Sequence, residues 1–194
     1  AAAGFRPWRV VAARGVPLDG AAAGRVRTSA MNPYVLQCEM IAPVTLEEAF
    51  RVFEDPYNLA HITHKRLSFR VTSRERVVMR PGAEITYTIR WLGLPMKWKT
   101  LISRYDPPHC FIDQQEEGPY VLWRHIHTFT PVAEGVRVAD EVQYILPLGP
   151  LGKAAHALLV GRQLKGIFEY RQRTLPPLIG GDLHRYRSSE MVIR

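Results

Sequence analysis

The chain has 194 residues, enough for one well-buried core and short for two. Its 46% hydrophobic and 23% charged residues are typical of a globular protein, and no run of about 18 apolar residues predicts a membrane span. The formal net charge is +8, but residues 1–30 hold five arginines against one acid. The other basic residues are scattered without a dense block, so the charge indicates a solvated surface and no nucleic-acid partner.

Composition divides the chain into three parts. Residues 1–30 are rich in Ala, Gly and Arg and show neither helical nor strand periodicity. They are predicted to be a flexible extension or the product of a misassigned start upstream of Met31, with a transit peptide as the alternative. Residues 31–175 are predicted to form the domain and residues 176–194 a peripheral tail. The two cysteines make no disulfide framework and fit a cytoplasmic protein.

The first half of the domain predicts one strand followed by two short helices. The strand covers residues 34–41. Thr45-Leu46-Glu47-Glu48 has the N-cap and acidic first turn of a helix, which Asp55-Pro56 ends. Residues 58–63 are predicted to form the second helix, and residues 67–72 the next strand.

The second half predicts an antiparallel meander and a long final helix. Short Gly- and Pro-rich turns separate five alternating segments, at residues 84–91, 97–103, 109–115, 120–130 and 136–146. Six residues of the final helix, 151–174, recur at helical spacing: Leu151, Ala155, Leu158, Gly161, Leu164 and Phe168. These elements predict an α+β helix-grip fold, in which a curved seven-stranded antiparallel sheet wraps around the C-terminal helix.

Two histidines provide the sharpest local feature of the sequence. Residues two apart on a strand share a face, so His125 and His127 point to the same side as Trp123. Neighbouring strands carry Asp113 and Asp140, and these two carboxylates with the two histidines are the candidate catalytic groups. The predicted ligand-binding residues are Tyr87, Trp91, Trp98, Trp123, His125, His127 and Tyr144.

The same residues allow a purely structural interpretation. Buried imidazoles and carboxylates can satisfy each other by hydrogen bonds, and the aromatic residues can simply fill the core. His-x-His is a weak metal signal, so neither a metal nor another cofactor is predicted. A three-residue loop at Glu116–Gly118 would place Asp113 on the same face as His125, whereas a two- or four-residue loop would place it beside Arg124.

Several segments of the chain resemble the SRPBCC superfamily of START-like lipid-binding domains, polyketide cyclases/dehydratases and birch-pollen-allergen-like proteins, and in particular its uncharacterised bacterial branch. The segments are Phe53–Leu59 with Ile62-Thr63, Trp98-Lys99-Thr100, Asp106–Gln115, Gly118–Phe129 and Asp140–Tyr144. One departure is His64-Lys65, where the branch often has prolines. The resemblance implies the helix-grip fold and favours Asp113 on the face of His125.

Three functions follow as expectations. The first is binding of a hydrophobic or amphipathic small molecule, such as a lipid, polyketide or isoprenoid, in an internal cavity. The second is a cyclase- or dehydratase-type enzyme that uses the histidines and aspartates as acids and bases. The third is a regulatory protein-interaction domain, which predicts an exposed apolar patch and no internal cavity.

Overall fold

The computed structural model describes residues 32–73, 75–91 and 94–194, except for the side chains of Arg66 and Trp91. The predicted extension and Met31 lie outside the described residues. The described strands are β1 (Tyr34–Ala42), β2 (Arg70–Val71), β3 (Glu84–Trp91), β4 (Leu94–Asp106), β5 (Cys110–Glu117), β6 (Leu122–Val132), β7 (Gly135–Ile145), β8 (Arg187–Ser188) and β9 (Val192–Ile193). The α-helices are α1 (Leu46–Glu54), α2 (Leu59–Ile62), α3 (Gly149–Ala155) and α4 (Gly161–Ile179).

The strands form one antiparallel sheet with the order β2-β3-β4-β5-β6-β7-β1-β8, and β9 also pairs with β1. Strands β2 to β7 are a meander, and β1, which α1 and α2 separate from β2 in sequence, pairs with β7. Register shifts between β4 and β5 help the sheet to bend around the helices. The predicted helix-grip fold is confirmed, with β1 to β7 as its seven predicted strands.

Local sequence explains how the chain enters this fold. Side chains of β1 alternate, and Leu36, Met40 and Ala42 are buried. A capping box starts α1: the backbone N–H of Glu48 donates to Thr45 Oγ1 at 3.3 Å, and the backbone N–H of Thr45 donates to Glu48 Oε2 at 2.8 Å. The predicted N-terminus of α1 is therefore confirmed.

The final helix differs from the prediction in its first turns. Leu151 and Leu158, expected on the buried stripe, are 71% and 74% exposed. A π-helical turn at His156–Val160 joins α3 to α4 and adds about one residue to the helical path, so the buried face moves to Gly152 and Val160. From Val160 onward the buried residues keep the regular spacing of an α-helix. No helix in the described part of the chain combines the length and the hydropathy needed to cross a lipid bilayer.

The segment predicted to be a tail contributes to the sheet and the core. Helix α4 continues through the two prolines to Ile179, five residues beyond the predicted end. After it, β8 and β9 pair with β1, and Met191 is buried against the same core as Leu36. Tyr186 Oη donates a hydrogen bond to the carbonyl of Gly180 at 2.6 Å.

Candidate functional site

A cavity of about 180 Å³ lies between the sheet and α4. Aromatic and aliphatic side chains form most of its surface, among them Phe53, Ile85, Leu164 and Phe168. An engineered cavity of roughly 150 Å³ in another protein holds benzene. The pocket is partly open, and its volume is sufficient for one substituted ring or a short chain.

The structure brings most of the predicted site residues to this cavity. Six of them line it: Tyr87, Trp98, Asp113, Trp123, His125 and His127. The Trp91 side chain, also predicted to bind the ligand, lies outside the described part of the chain. Asp140 contacts both histidines but lines a separate void of about 10 Å³ behind the cavity.

Tyr144 lies elsewhere, and its prediction as a cavity residue is corrected. Its side chain is fully buried in a second part of the core, and its hydroxyl is 2.7 Å from His156 Nε2. His156 in turn stacks on Tyr34 with ring centroids 3.7 Å apart. The π-helical turn that begins at His156 brings this imidazole to the sheet, so Tyr144 belongs to a packing contact between β7 and the helix.

Two tryptophans and a tyrosine form the apolar end of the cavity. Trp98 stacks on Tyr87 at a centroid distance of 5.9 Å and meets Trp123 edge-on at 5.4 Å. Trp98 Nε1 donates to Thr100 Oγ1 at 3.1 Å, and the Tyr87 hydroxyl is 3.2 Å from the same oxygen. The polar atoms of Trp98 and Tyr87 are thus bonded within the protein, so these two side chains present apolar ring surface to the cavity.

A cluster of two imidazoles and two carboxylates forms the polar end. Asp113 on β5 is opposite His125 on β6, and His127 is opposite Asp140 on β7, so the register places all four side chains on one face. The last residues paired between β5 and β6 are Gln114 and Arg124, so residues 115–123 connect them, and Asp113 pairs with His125 on the same face rather than lying beside Arg124.

The cluster is held by short polar contacts. His125 Nε2 is 3.1 Å from Asp140 Oδ1, and His127 Nε2 is 3.1 Å from Asp113 Oδ2. His127 Nδ1 lies 2.8 Å from Asp140 Oδ1 without the alignment of a hydrogen bond, so we treat that contact as electrostatic. Asp113 Oδ2 also lies 3.6 Å from His125 Nδ1, so each carboxylate faces both imidazoles.

Burial and charge set the protonation of the cluster. Burial alone would raise the pKa of Asp140, but Arg171 and the two histidines hold it well below the usual value of 3.8. Burial would also raise the pKa of Asp113, and the same histidines lower it instead. Burial lowers the pKa of His125. Burial would lower the pKa of His127 as well, but its contacts with both carboxylates outweigh burial and raise that pKa.

We expect the two histidines to titrate on opposite sides of their ordinary value of 6.5. The proton on His127 stabilises the fold fully below pH 6.5, and this contribution is lost as the pH rises through its raised pKa. Neutral His125 stabilises the fold above pH 6.5, and this contribution is lost as the pH falls through its lowered pKa. NMR titration of the ring resonances, assigned with His125→Gln and His127→Gln, measures both pKa values. Two pKa values at or below 6.5 would contradict the expectation.

Arg171 on α4 is a site residue that the sequence predictions missed. Its side chain is 9% exposed, lines the cavity, and places the guanidinium carbon 5.5 Å from the ring centroid of Phe53 and 5.8 Å from that of Phe168. Its Nε is buried and has no hydrogen-bond partner among the described residues. The sequence contains a signal for this residue, because Arg171 interrupts an otherwise apolar stripe of α4 between Phe168 and Leu175.

Three members of the cluster have the composition of a metal site. Asp113, His125 and His127 offer donor atoms within 4.8 Å of one another. The positive charge of Arg171, which lowers the pKa of both carboxylates, also disfavours a further cation at this place. The arrangement therefore favours a hydrogen-bond network over a metal centre.

Comparison with known proteins supports the fold. Neither a protein-family model nor a curated protein matches this chain. It is similar to the solved structure of TTHA0849 from Thermus thermophilus, at 20% identity over 76% of this chain and 97% of that chain, with a TM-score of 0.60. Protein CV1439 from Chromobacterium violaceum is similar at 14% identity over 77% of this chain and 100% of that chain, with a TM-score of 0.58. Identities this low show the fold alone.

Proposed function

We propose that this protein binds a small, largely apolar molecule in the cavity between its sheet and α4. The observation that carries the proposal is a partly open pocket of about 180 Å³ whose surface is mostly aromatic and aliphatic, with one buried polar cluster at its end. An apolar pocket with a few convergent polar groups is typical of a small-molecule site. The volume favours a ligand of about one ring over a two-chain lipid.

The proposal predicts binding of a neutral aromatic probe, measured with ethylbenzene by calorimetry and by ligand-dependent thermal stabilisation. Ile85→Trp adds bulk at a buried position of the cavity surface, so we expect it to weaken binding at least tenfold. Val192→Trp adds the same group at an exposed site and should bind like the wild type. Equal affinity in both variants would place the ligand outside the cavity and contradict the proposal.

An enzymatic function is a second candidate, favoured by the buried histidine–aspartate cluster. His125 and His127 face the same cavity, and the raised pKa of His127 beside the lowered pKa of His125 resembles a separated acid and base pair. The resemblance of several segments of the chain to polyketide cyclases/dehydratases also supports an enzymatic function. The double variant His125→Gln/His127→Gln should then lose turnover, with its circular dichroism spectrum and its binding of ethylbenzene as the control that the variant is folded.

The protein-interaction alternative has weaker support. It required an interior without a cavity, and the described interior contains one. Exposed leucines at 148, 151, 158 and 159 near the start of the final helix are the observation in its favour.

A further inference from the structure

Two buried polar atoms on the cavity side of α4 lack a hydrogen-bond partner among the described residues. They are Arg171 Nε, a donor, and Gln163 Oε1, an acceptor. Both residues line the cavity. Buried polar atoms in native proteins are normally paired, and those left unpaired call for an explanation. A ligand that supplies both missing partners is one such explanation.

The positions of the two residues along α4 indicate how a ligand would be oriented in the cavity. Gln163 and Arg171 are eight residues apart on one continuous helix, so their backbones are separated by roughly 12 Å along its axis. Leu164, Ile167 and Phe168 lie between them on the cavity surface. The helix therefore presents an acceptor, an apolar stretch and a donor in that order.

The other charged groups of the cavity surface favour an uncharged ligand. Asp113 is already bound by His127, and Glu54 accepts a hydrogen bond from the Tyr105 hydroxyl at 2.6 Å. Both carboxylates thus have partners within the protein, and the negative charge of Asp113 repels an anion. Arg171 can therefore donate a hydrogen bond to a ligand, while nearby carboxylates offset its positive charge.

We propose that the cavity binds an uncharged, single-ring molecule with a carbonyl-type oxygen at one end and a hydroxyl or N–H group at the other. Arg171 donates to the carbonyl oxygen, and Gln163 Oε1 accepts from the hydroxyl or N–H group. This assignment rests on the proposed function, because it requires a ligand inside the cavity.

Four ring compounds separate the contributions of the two ends: para-hydroxyacetophenone, acetophenone, para-ethylphenol and ethylbenzene. By calorimetry, each added polar group should improve wild-type affinity by about fivefold over ethylbenzene. Arg171→Gln should lower the affinity for acetophenone to that for ethylbenzene and leave the tighter binding of para-ethylphenol unchanged. Gln163→Leu should lower the affinity for para-ethylphenol to that for ethylbenzene and leave the tighter binding of acetophenone unchanged. Arg173→Gln changes the same charge at an exposed position of α4 and should keep the wild-type order.

The outcomes distinguish the two proposals. If none of the four compounds binds, the proposed function fails. If ethylbenzene binds as tightly as para-hydroxyacetophenone, cavity binding stands and the two-ended assignment is overturned. Tighter binding of benzoate than of acetophenone would overturn the uncharged ligand. The wild-type comparison decides these points even if a variant does not fold.

Discussion

Replacing Asp140 by asparagine should lower the free energy of unfolding by about 3 kcal/mol or more at neutral pH. The carboxylate is buried and faces Arg171, His125 and His127, which together hold its pKa well below 3.8. Asparagine keeps the size of the side chain but leaves the neighbouring positive charges without their counter-charge. Urea denaturation of the wild type and the variant at neutral pH measures the difference.

The matched control is Asp106→Asn. Asp106 also forms an ion pair, with Arg104 at 3.2 Å, but its side chain is 56% exposed, so we expect a loss below about 0.5 kcal/mol. The pH dependence adds a second check. The contribution of ionised Asp140 is present above pH 3.8 and is lost as the pH falls through its lowered pKa, so the difference from the wild type should narrow in acid. Similar losses in the two variants would contradict the role given to the buried cluster.

Trp98→Ala should destabilise the protein by about 3–5 kcal/mol and enlarge the cavity. Trp98 is buried, its ring packs on Tyr87 and Trp123, and its Nε1 donates to Thr100. Because the side chain is part of the cavity surface, its removal opens space toward the apolar end. We expect the variant to bind naphthalene, a two-ring molecule, more tightly than the wild type does.

Trp98→Phe provides the control for this change. It keeps an aromatic ring at the position but loses the hydrogen bond to Thr100, so a loss of about 1–2 kcal/mol is expected. Chemical denaturation and calorimetry with naphthalene measure both properties. An unchanged naphthalene affinity in Trp98→Ala would show that the cavity does not limit ligand size at this residue.

The local sequence pattern was sufficient to predict most of the fold. The strict alternation in β3 predicted its bounds, 84–91, as observed, and the capping box at Thr45 marked the first helix. The prediction erred where a non-local effect intervened. Leu94 and Pro95 were assigned to a turn but pair with β3, and the C-terminal segment pairs with β1, which lies about 150 residues earlier in sequence. The π-helical turn also shifted the buried face of the final helix.

The candidate site was predicted in part. The i, i+2 spacing of His125 and His127 on a strand was enough to place them together, because strand geometry fixes which side chains share a face. Tyr144 was misplaced, because it shares the face of Trp123 but lies near the end of β7, where its hydroxyl contacts His156 at the helix start. Arg171 and Gln163 were missed, because helix periodicity shows which face is buried but not what lies opposite it.

By itself, the sequence determined the antiparallel meander, the two short helices after the first strand and the shared face of the two histidines. These features depend on backbone geometry and on residues close together in the chain. Only the tertiary structure decided that a pocket lies between the sheet and α4, that Asp113 and Asp140 contact the histidines, and that Arg171 lies beside them. Those facts depend on how far α4 sits from the sheet and on the pairing of distant strands, which no local pattern encodes.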